Sequence, residues 1–190
     1  MRLRELLQEQ EEFKNTIKAY KLFRHKEGKI YPLFVNANKE IPMGKWLKAE
    51  SGPMTDKGKV KSRLGGLAYR PGWHSGDLPI ATHIGGKSHP SLTKPDYRPD
   101  NHVWAEVEHP ADKDWQSIAN SRGSGVKAHI TDQVPYGGHY RYKTNPNMKG
   151  NWIISGNMKV NRILGDEEVK LINQRAGVQD LPRLKDLKNR

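Results

Sequence analysis

From His102 to Glu108 the chain alternates without a break: Val103, Ala105 and Val107 interleave with His102, Trp104, Glu106 and Glu108. Successive side chains of an extended strand point to opposite faces. The first set would therefore face a core, and the second would share the other face. A strand of this kind needs partners from elsewhere in the chain.

The clearest partner is an aromatic, β-prone pair of segments, Ala19 to Arg24 and Lys29 to Val35, joined through His25-Lys26-Glu27-Gly28, which reads as a hairpin. Pro32 has no N–H to give to a ladder, so its strand belongs at an edge. Trp152-Ile153-Ile154 and Met158 to Leu164, separated by Ser155-Gly156-Asn157, read as a second hairpin. Ala128 to Ile130 and Tyr140 to Lys143 are further strand candidates. Leu3, Leu6, Leu7, Phe13 and Ile17 recur near helical spacing among Glu, Gln and Lys, so residues 1–18 are expected to form an amphipathic helix. A second helix should open on Asp166-Glu167-Glu168, whose charges suit the positive end of the helix dipole, and close at Gly177. A charged tail would follow from Leu181.

These elements predict an α+β fold. It would be a small, mostly antiparallel sheet of two hairpins and a central strand, occupying 19–165, with helices at 1–18 and 166–190. Residues 36–101, rich in Gly, Pro, Ser and Lys, would be a long irregular segment laid over one face. Long irregular stretches inside a compact domain are more often functional than idle.

With 190 residues the chain can bury a core without staples, and it has no cysteine. Disulfides, zinc-thiolate sites and thiol nucleophiles are thereby excluded, and a reducing, cytoplasmic setting is expected. No apolar run approaches the roughly 20 residues of a membrane span, and the first residues lack the apolar stretch of a signal peptide. The formal net charge is +12. Residues 21–103 carry 15 Lys/Arg against 7 Asp/Glu and residues 122–162 carry 7 against 1, whereas 104–121 carries 1 against 4. Positive charge concentrated in the body of the chain favours a polyanionic partner, nucleic acid first.

Chemistry concentrates in two clusters. In Tyr69-Arg70-Pro71-Gly72-Trp73-His74-Ser75-Gly76-Asp77 a Pro-Gly turn holds an arginine that can fork onto phosphate, an indole that can stack on a base or nicotinamide, and an imidazole that can shuttle a proton. The same residues could equally be a packed corner, with Trp73 as a plug. In Tyr136-Gly137-Gly138-His139-Tyr140-Arg141-Tyr142-Lys143 the tyrosines alternate with Arg141 and Lys143. That pattern suits a phosphate-tracking strand, or an ordinary strand with tyrosines on its core side. His74, His83, His89, His102 and His109 fit no metal-binding helix spacing, and no metal site is expected. P-loop, dinucleotide-fold and serine-hydrolase fingerprints are missing from the sequence.

Two enzymatic readings survive. A metal-independent ribonuclease would use His74 and His139 as acid and base, with Arg70, Arg141 or Lys143 over the phosphate. An ADP-ribosyltransferase would use NAD as its cofactor, with Arg70 and His74 on the ribose-phosphate, Trp73 stacking and Glu106 or Glu108 as the carboxylate. Both would set the 70–74 turn beside the 102–108 strand.

The segments Tyr20-Lys21-Leu22-Phe23, Tyr31-Pro32-Leu33-Phe34, Arg70-Pro71-Gly72-Trp73-His74, Val103 to Glu108 and Met158 to Leu164 together resemble a family of uncharacterised bacteriophage and mobile-element proteins. The likeness spans 18–165. It implies an accessory protein in a bacterial cytoplasm that acts on nucleic acid, as a basic binding module or small nuclease, or that binds and blocks a host protein without catalysis.

Overall fold

A computed structural model describes residues 13–122 and 132–188. Among the described residues there are eleven strands: β1 Thr16–Lys26, β2 Lys29–Tyr31, β3 Trp46–Lys48, β4 Val60–Ser62, β5 Gly65–Leu67, β6 Trp73–Gly76, β7 His102–Pro110, β8 Lys113–Asp114, β9 Gly138–Tyr142, β10 Trp152–Ser155 and β11 Asn157–Ile163. Three short helices accompany them: α1 Gln116–Arg122, α2 Asp166–Arg175 and α3 Leu184–Lys188. At 36% strand and 13% helix the described residues are mostly β. The expected helix-flanked α+β fold is therefore corrected.

The reason lies in how the strands pair. One mixed sheet of nine strands runs β3-β11-β7-β1-β6-β10-β9-β8, with β2 added to β1, and β4 and β5 form a separate ribbon. β1 lies antiparallel to β7 over nine residue pairs, from Thr16↔Pro110 to Arg24↔His102. Thr16 to Lys18 are thus strand, not the end of an N-terminal helix; residues 1–12 of that expected helix lie outside the described residues, as does the 128–130 strand candidate. β1 and β2 turn through Glu27 (φ 51°) and Gly28 (φ 76°), the left-handed pair that a two-residue hairpin needs. β2 stops at Tyr31, before Pro32.

The expected second hairpin is not one. β10 pairs with β6 and β9, whereas β11 pairs with β7 and β3. They are one extended run bent at Gly156, whose N–H bonds Gly138 O at 3.0 Å and whose carbonyl accepts from Ala49 N at 2.8 Å. Because one continuous run pairs with β7 through β11 and with β6 through β10, the circuit β11-β7-β1-β6-β10 closes on itself. Alternate residues fill the enclosed core: Ala19, Phe23, Ala105, Val107, Ile153, Met158 and Val160 are all fully buried. The bend needs a residue without a side chain, since a Cβ on Gly156 would lie 2.3 Å from Pro135 O and 2.9 Å from Val134 O. Those atoms are backbone and cannot step aside. Gly156→Ala is expected to cost about 2 kcal/mol of stability, as overpacking does, read by urea denaturation; a change within about 0.5 kcal/mol, typical of a neutral surface site, would contradict the bend's requirement.

The outer face of β7 is also covered. Trp104 packs with Leu22, Leu33, Ala81 and Leu164, and Val169 and Ile172 of α2 lean on that cluster. Gly177 (φ 66°) follows α2, with its N–H on Gln174 O and that of Val178 on Asn173 O, so the chain leaves the helix through a left-handed residue. The segment from Leu181, expected as a loose charged tail, instead docks: Arg98 N bonds Pro182 O at 2.7 Å and Leu184 N bonds Arg98 O at 2.9 Å. Residues 36–101 hold β3 to β6 and are not wholly irregular. Among the described residues no helix is long and apolar enough to cross a membrane.

Candidate functional site

β1 and β6 are neighbours in the closed ring, yet they pair at one position only, Tyr20↔Gly76. β6 then follows β10 through four pairs, Trp152↔Gly76 to Ser155↔Trp73, and parts from β1. The parting would orphan ladder groups, and a buried carbonyl without a donor is costly. Here the ammonium of Lys21 reaches across and donates to His74 O at 2.6 Å. A cleft of about 660 Å³ opens at this parting. Side chains from both faces of the sheet line it, because the sheet is interrupted there.

The Arg-Pro-Gly-Trp-His run forms one wall. Gly72 has φ 137°, a conformation side-chain-bearing residues rarely adopt, and a Cβ there would meet Ile154 Cγ2 at 2.3 Å. The corner thus brings the 70–74 backbone hard against β10. Trp73 Nε1 donates to Leu47 O at 3.0 Å, and His74 Nε2 donates to Arg70 O at 3.0 Å. Arg70 hydrogen-bonds the Tyr142 hydroxyl, whose pKa is raised by burial and drawn back by that arginine. Arg70, Trp73 and His74 are each half-buried and line the cleft with Phe34, Tyr69 and Lys21. Two carboxylates reach its wall, Glu40 and Glu50, and each is held by a lysine: Lys29 at 2.7 Å and Lys39 at 2.6 Å.

The other expected site residues lie elsewhere. β1 stands between β6 and β7 in the sheet, and of the 102–108 strand it is Trp104 that lines the cleft with the 70–74 turn. Glu106 is 8% exposed on the outer face, bound to Arg162 at 3.1 Å and Lys18 at 3.3 Å. Glu108 pairs with Lys159 at 2.8 Å. Neither lines the cleft, so the transferase set of Arg70, Trp73, His74 and Glu106 is not assembled. In the β6-β10-β9 ladder Trp73, Ser155 and His139 form one cross-strand row, and His74, Ile154 and Tyr140 form the next. Adjacent rows face opposite ways. His74 and His139 therefore sit on opposite faces of the sheet and cannot flank one scissile bond. Tyr140 and Tyr142 belong to a core cluster with Ile154, while Arg141 Nε lies 3.9 Å from Asp77 and Lys143 Nζ bonds Met148 O.

Two features went unforeseen. Lys21 falls between Ala19 and Phe23 on the inward side of β1, a lysine where the alternation calls for an apolar residue. That break in pattern was readable. Burial lowers its pKa to about 8. The second feature is a polar chain inside the ring. The Ser155 hydroxyl donates to Asn157 O at 2.6 Å, so it must accept from His109 Nδ1–H. His109 Nε2 is then left to accept the hydroxyl proton of Ser75, a residue of the cleft wall. This tautomer follows from the hydrogen-bond ledger. His109 is fully buried, and desolvation, eased by a hydrogen bond with Asn157 and deepened by Lys21, lowers its pKa to about 3. It is neutral at ordinary pH.

Among the described residues no group of three or more His, Cys, Asp or Glu is placed to hold a metal ion. The arrangement can grip a ligand with a flat apolar body and an anionic group. Comparison of the chain with protein-family models, curated proteins and solved structures finds no match.

Proposed function

We propose that this protein binds a phosphate-bearing nucleotide in the cleft between β1 and β6, and that its role is recognition rather than catalysis. The observation that carries the reading is convergence: Arg70, Trp73, His74 and Tyr69 line one cavity of about 660 Å³. That volume is ordinary for a small-molecule or cofactor site, and such sites combine apolar walls with a few placed polar groups. Arg70 offers a fork to phosphate and the aromatic walls offer faces to a base. NAD belongs to the ligand class. The residues present fit its binding; Glu106 and Glu108, the carboxylates the transferase reading relied on, lie outside the cleft, so the reading proposed is binding alone. The His74 and His139 pairing required of a nuclease has no support either. Within a phage or mobile-element protein, as the resemblance implies, nucleotide recognition fits an accessory role.

A second reading is kept because the net charge of +12 favours it: the ligand is a nucleotide at the end of a single-stranded nucleic acid. Calorimetric titration with AMP, NAD and a short oligonucleotide at two salt concentrations separates the two. A free nucleotide should bind saturably with weak salt dependence, and Arg70→Gln should weaken it about 10-fold, the worth of one charged hydrogen bond. Affinity for the oligonucleotide alone, falling steeply with salt, would favour the strand. Binding of neither, or binding indifferent to Arg70, would end the nucleotide reading.

A further inference from the structure

Lysines are rarely taken out of water without a partner, because burial penalises the ammonium unless a carboxylate offsets it. Lys159, 22% exposed, follows that rule, with a glutamate oxygen at 2.8 Å. Lys21 does not. No charged group offsets its loss of hydration, and its one hydrogen bond among the described residues is to His74 O. Its Nζ lies 5.9 Å from the centre of the Trp73 ring and 5.8 Å from that of Phe23, and it opens on the cleft that holds Arg70.

A structural role alone explains this poorly. Capping His74 O needs any donor, and a strand that stayed paired would need none. The parting of β1 and β6 puts a primary amine at the floor of an aromatic, arginine-bearing cavity, the setting in which lysine amines become nucleophiles. We propose that Lys21 is a reactive amine that condenses with the carbonyl carbon of a phosphate-bearing aldehyde or ketone seated in the cleft. The inference rests on the cleft being a ligand site.

The chemistry balances without a redox partner. The Nζ lone pair adds to the carbonyl carbon, and the carbonyl oxygen takes a proton from nitrogen to become hydroxyl. The C–O bond then breaks, the oxygen leaves as water with the second amine proton, and a C=N bond remains. The step needs the free amine, and with a pKa of about 8 roughly a tenth of the chains carry it at pH 7, against well under a hundredth for an ordinary lysine. Arg70 would hold the phosphate while the aromatic walls take the body of the ligand.

The test uses pyridoxal 5′-phosphate, a flat aldehyde with one phosphate, added in equimolar amount to the full chain, reduced with borohydride and mapped by peptide mass spectrometry. The expected result is labelling of Lys21 at least 10-fold ahead of every other lysine, abolished by Lys21→Arg and slowed several-fold by Arg70→Gln. Wild-type mapping decides the matter even if Lys21→Arg folds poorly: label spread over the surface lysines, with Lys21 no more modified than they are, overturns the proposal. Nucleotide binding without Lys21 labelling defeats only this inference, and Lys21 labelling without nucleotide binding defeats only the nucleotide reading. If both stand, AMP protects Lys21 from the aldehyde.

Discussion

Asp180→Ala is expected to lower the melting temperature by about 10 °C. Arg98 is 2% exposed, and its guanidinium is met by Asp180 Oδ1 at 2.5 Å and Oδ2 at 2.7 Å. The same carboxylate accepts from Trp104 Nε1 at 2.8 Å and from the backbone N–H of Ala81 at 3.0 Å. One side chain thus ties the segment after α2 to the outer face of β7 and to the chain bordering the cleft. Removing it leaves a buried cation and two buried donors unanswered. Breaking one side of a buried ion pair costs about 3–5 kcal/mol, and a chain of this size loses about 2–4 °C per kcal/mol. Asp180→Asn keeps the shape and some acceptors but not the charge, so it should fall between wild type and alanine. Thermal and urea unfolding measure both variants. A loss under about 1 kcal/mol for alanine, the worth of an exposed pair, would mean that the contact does not hold the segment.

Acid should unfold the protein through His109. Its pKa is about 3 folded, against the ordinary 6.5 once unfolded. Between these values the unfolded chain binds the proton and the folded chain does not, so acid favours unfolding. The stability is fully present above pH 6.5 and is lost as pH falls toward 3. Over that span the linkage amounts to about 5 kcal/mol at most. His102, lowered to about 4 by partial burial and by Arg98, Arg63, Arg24 and Arg183, acts in the same direction and the same window. Urea midpoints measured from pH 7.5 to 3.5 should fall steeply in wild type and more gently in His109→Gln, which cannot titrate. The variant will start lower, having lost part of the Ser75 and Ser155 network, so the slope is the readout. Parallel curves would show that His109 takes up its proton without unfolding the ring.

Much of the local structure was legible in the residues. The alternation at 102–108 marks β7, and the two-residue turn at Glu27-Gly28 follows from a glycine between β-prone runs. The helix opening on Asp166 and closing before Gly177 carries its signals within one short window. Arg70, Trp73 and His74 stand out together because a Pro-Gly turn and three ligand-capable side chains fall within five positions. Lys21 was visible as a charge on an apolar stripe, but an edge strand tolerates such a charge, and nothing local said that this strand would part from its neighbour.

What misled was the step from neighbours in sequence to neighbours in space. Trp152 to Leu164 looks like a hairpin because two β-prone runs flank Ser155-Gly156-Asn157; the two runs instead take different partners, β10 with β6 and β9 and β11 with β7 and β3. The transferase reading joined Glu106 to His74 because its chemistry calls for a carboxylate, whereas β1 stands between their strands in the sheet.

The residues by themselves determined the elements that hold their own hydrogen bonds and period: strands of alternating character, a hairpin turn, a capped helix and a positive charge. Only the tertiary structure decided which strand lies beside which, and hence that the sheet closes, that it parts at Lys21 and that His109 is sealed between two serines. The physical reason is range. A two-residue period states which way a side chain points, but the partner across the ladder is chosen by the joint burial of surfaces tens of residues apart, as with Tyr20 opposite Gly76 and Ala19 opposite Val107.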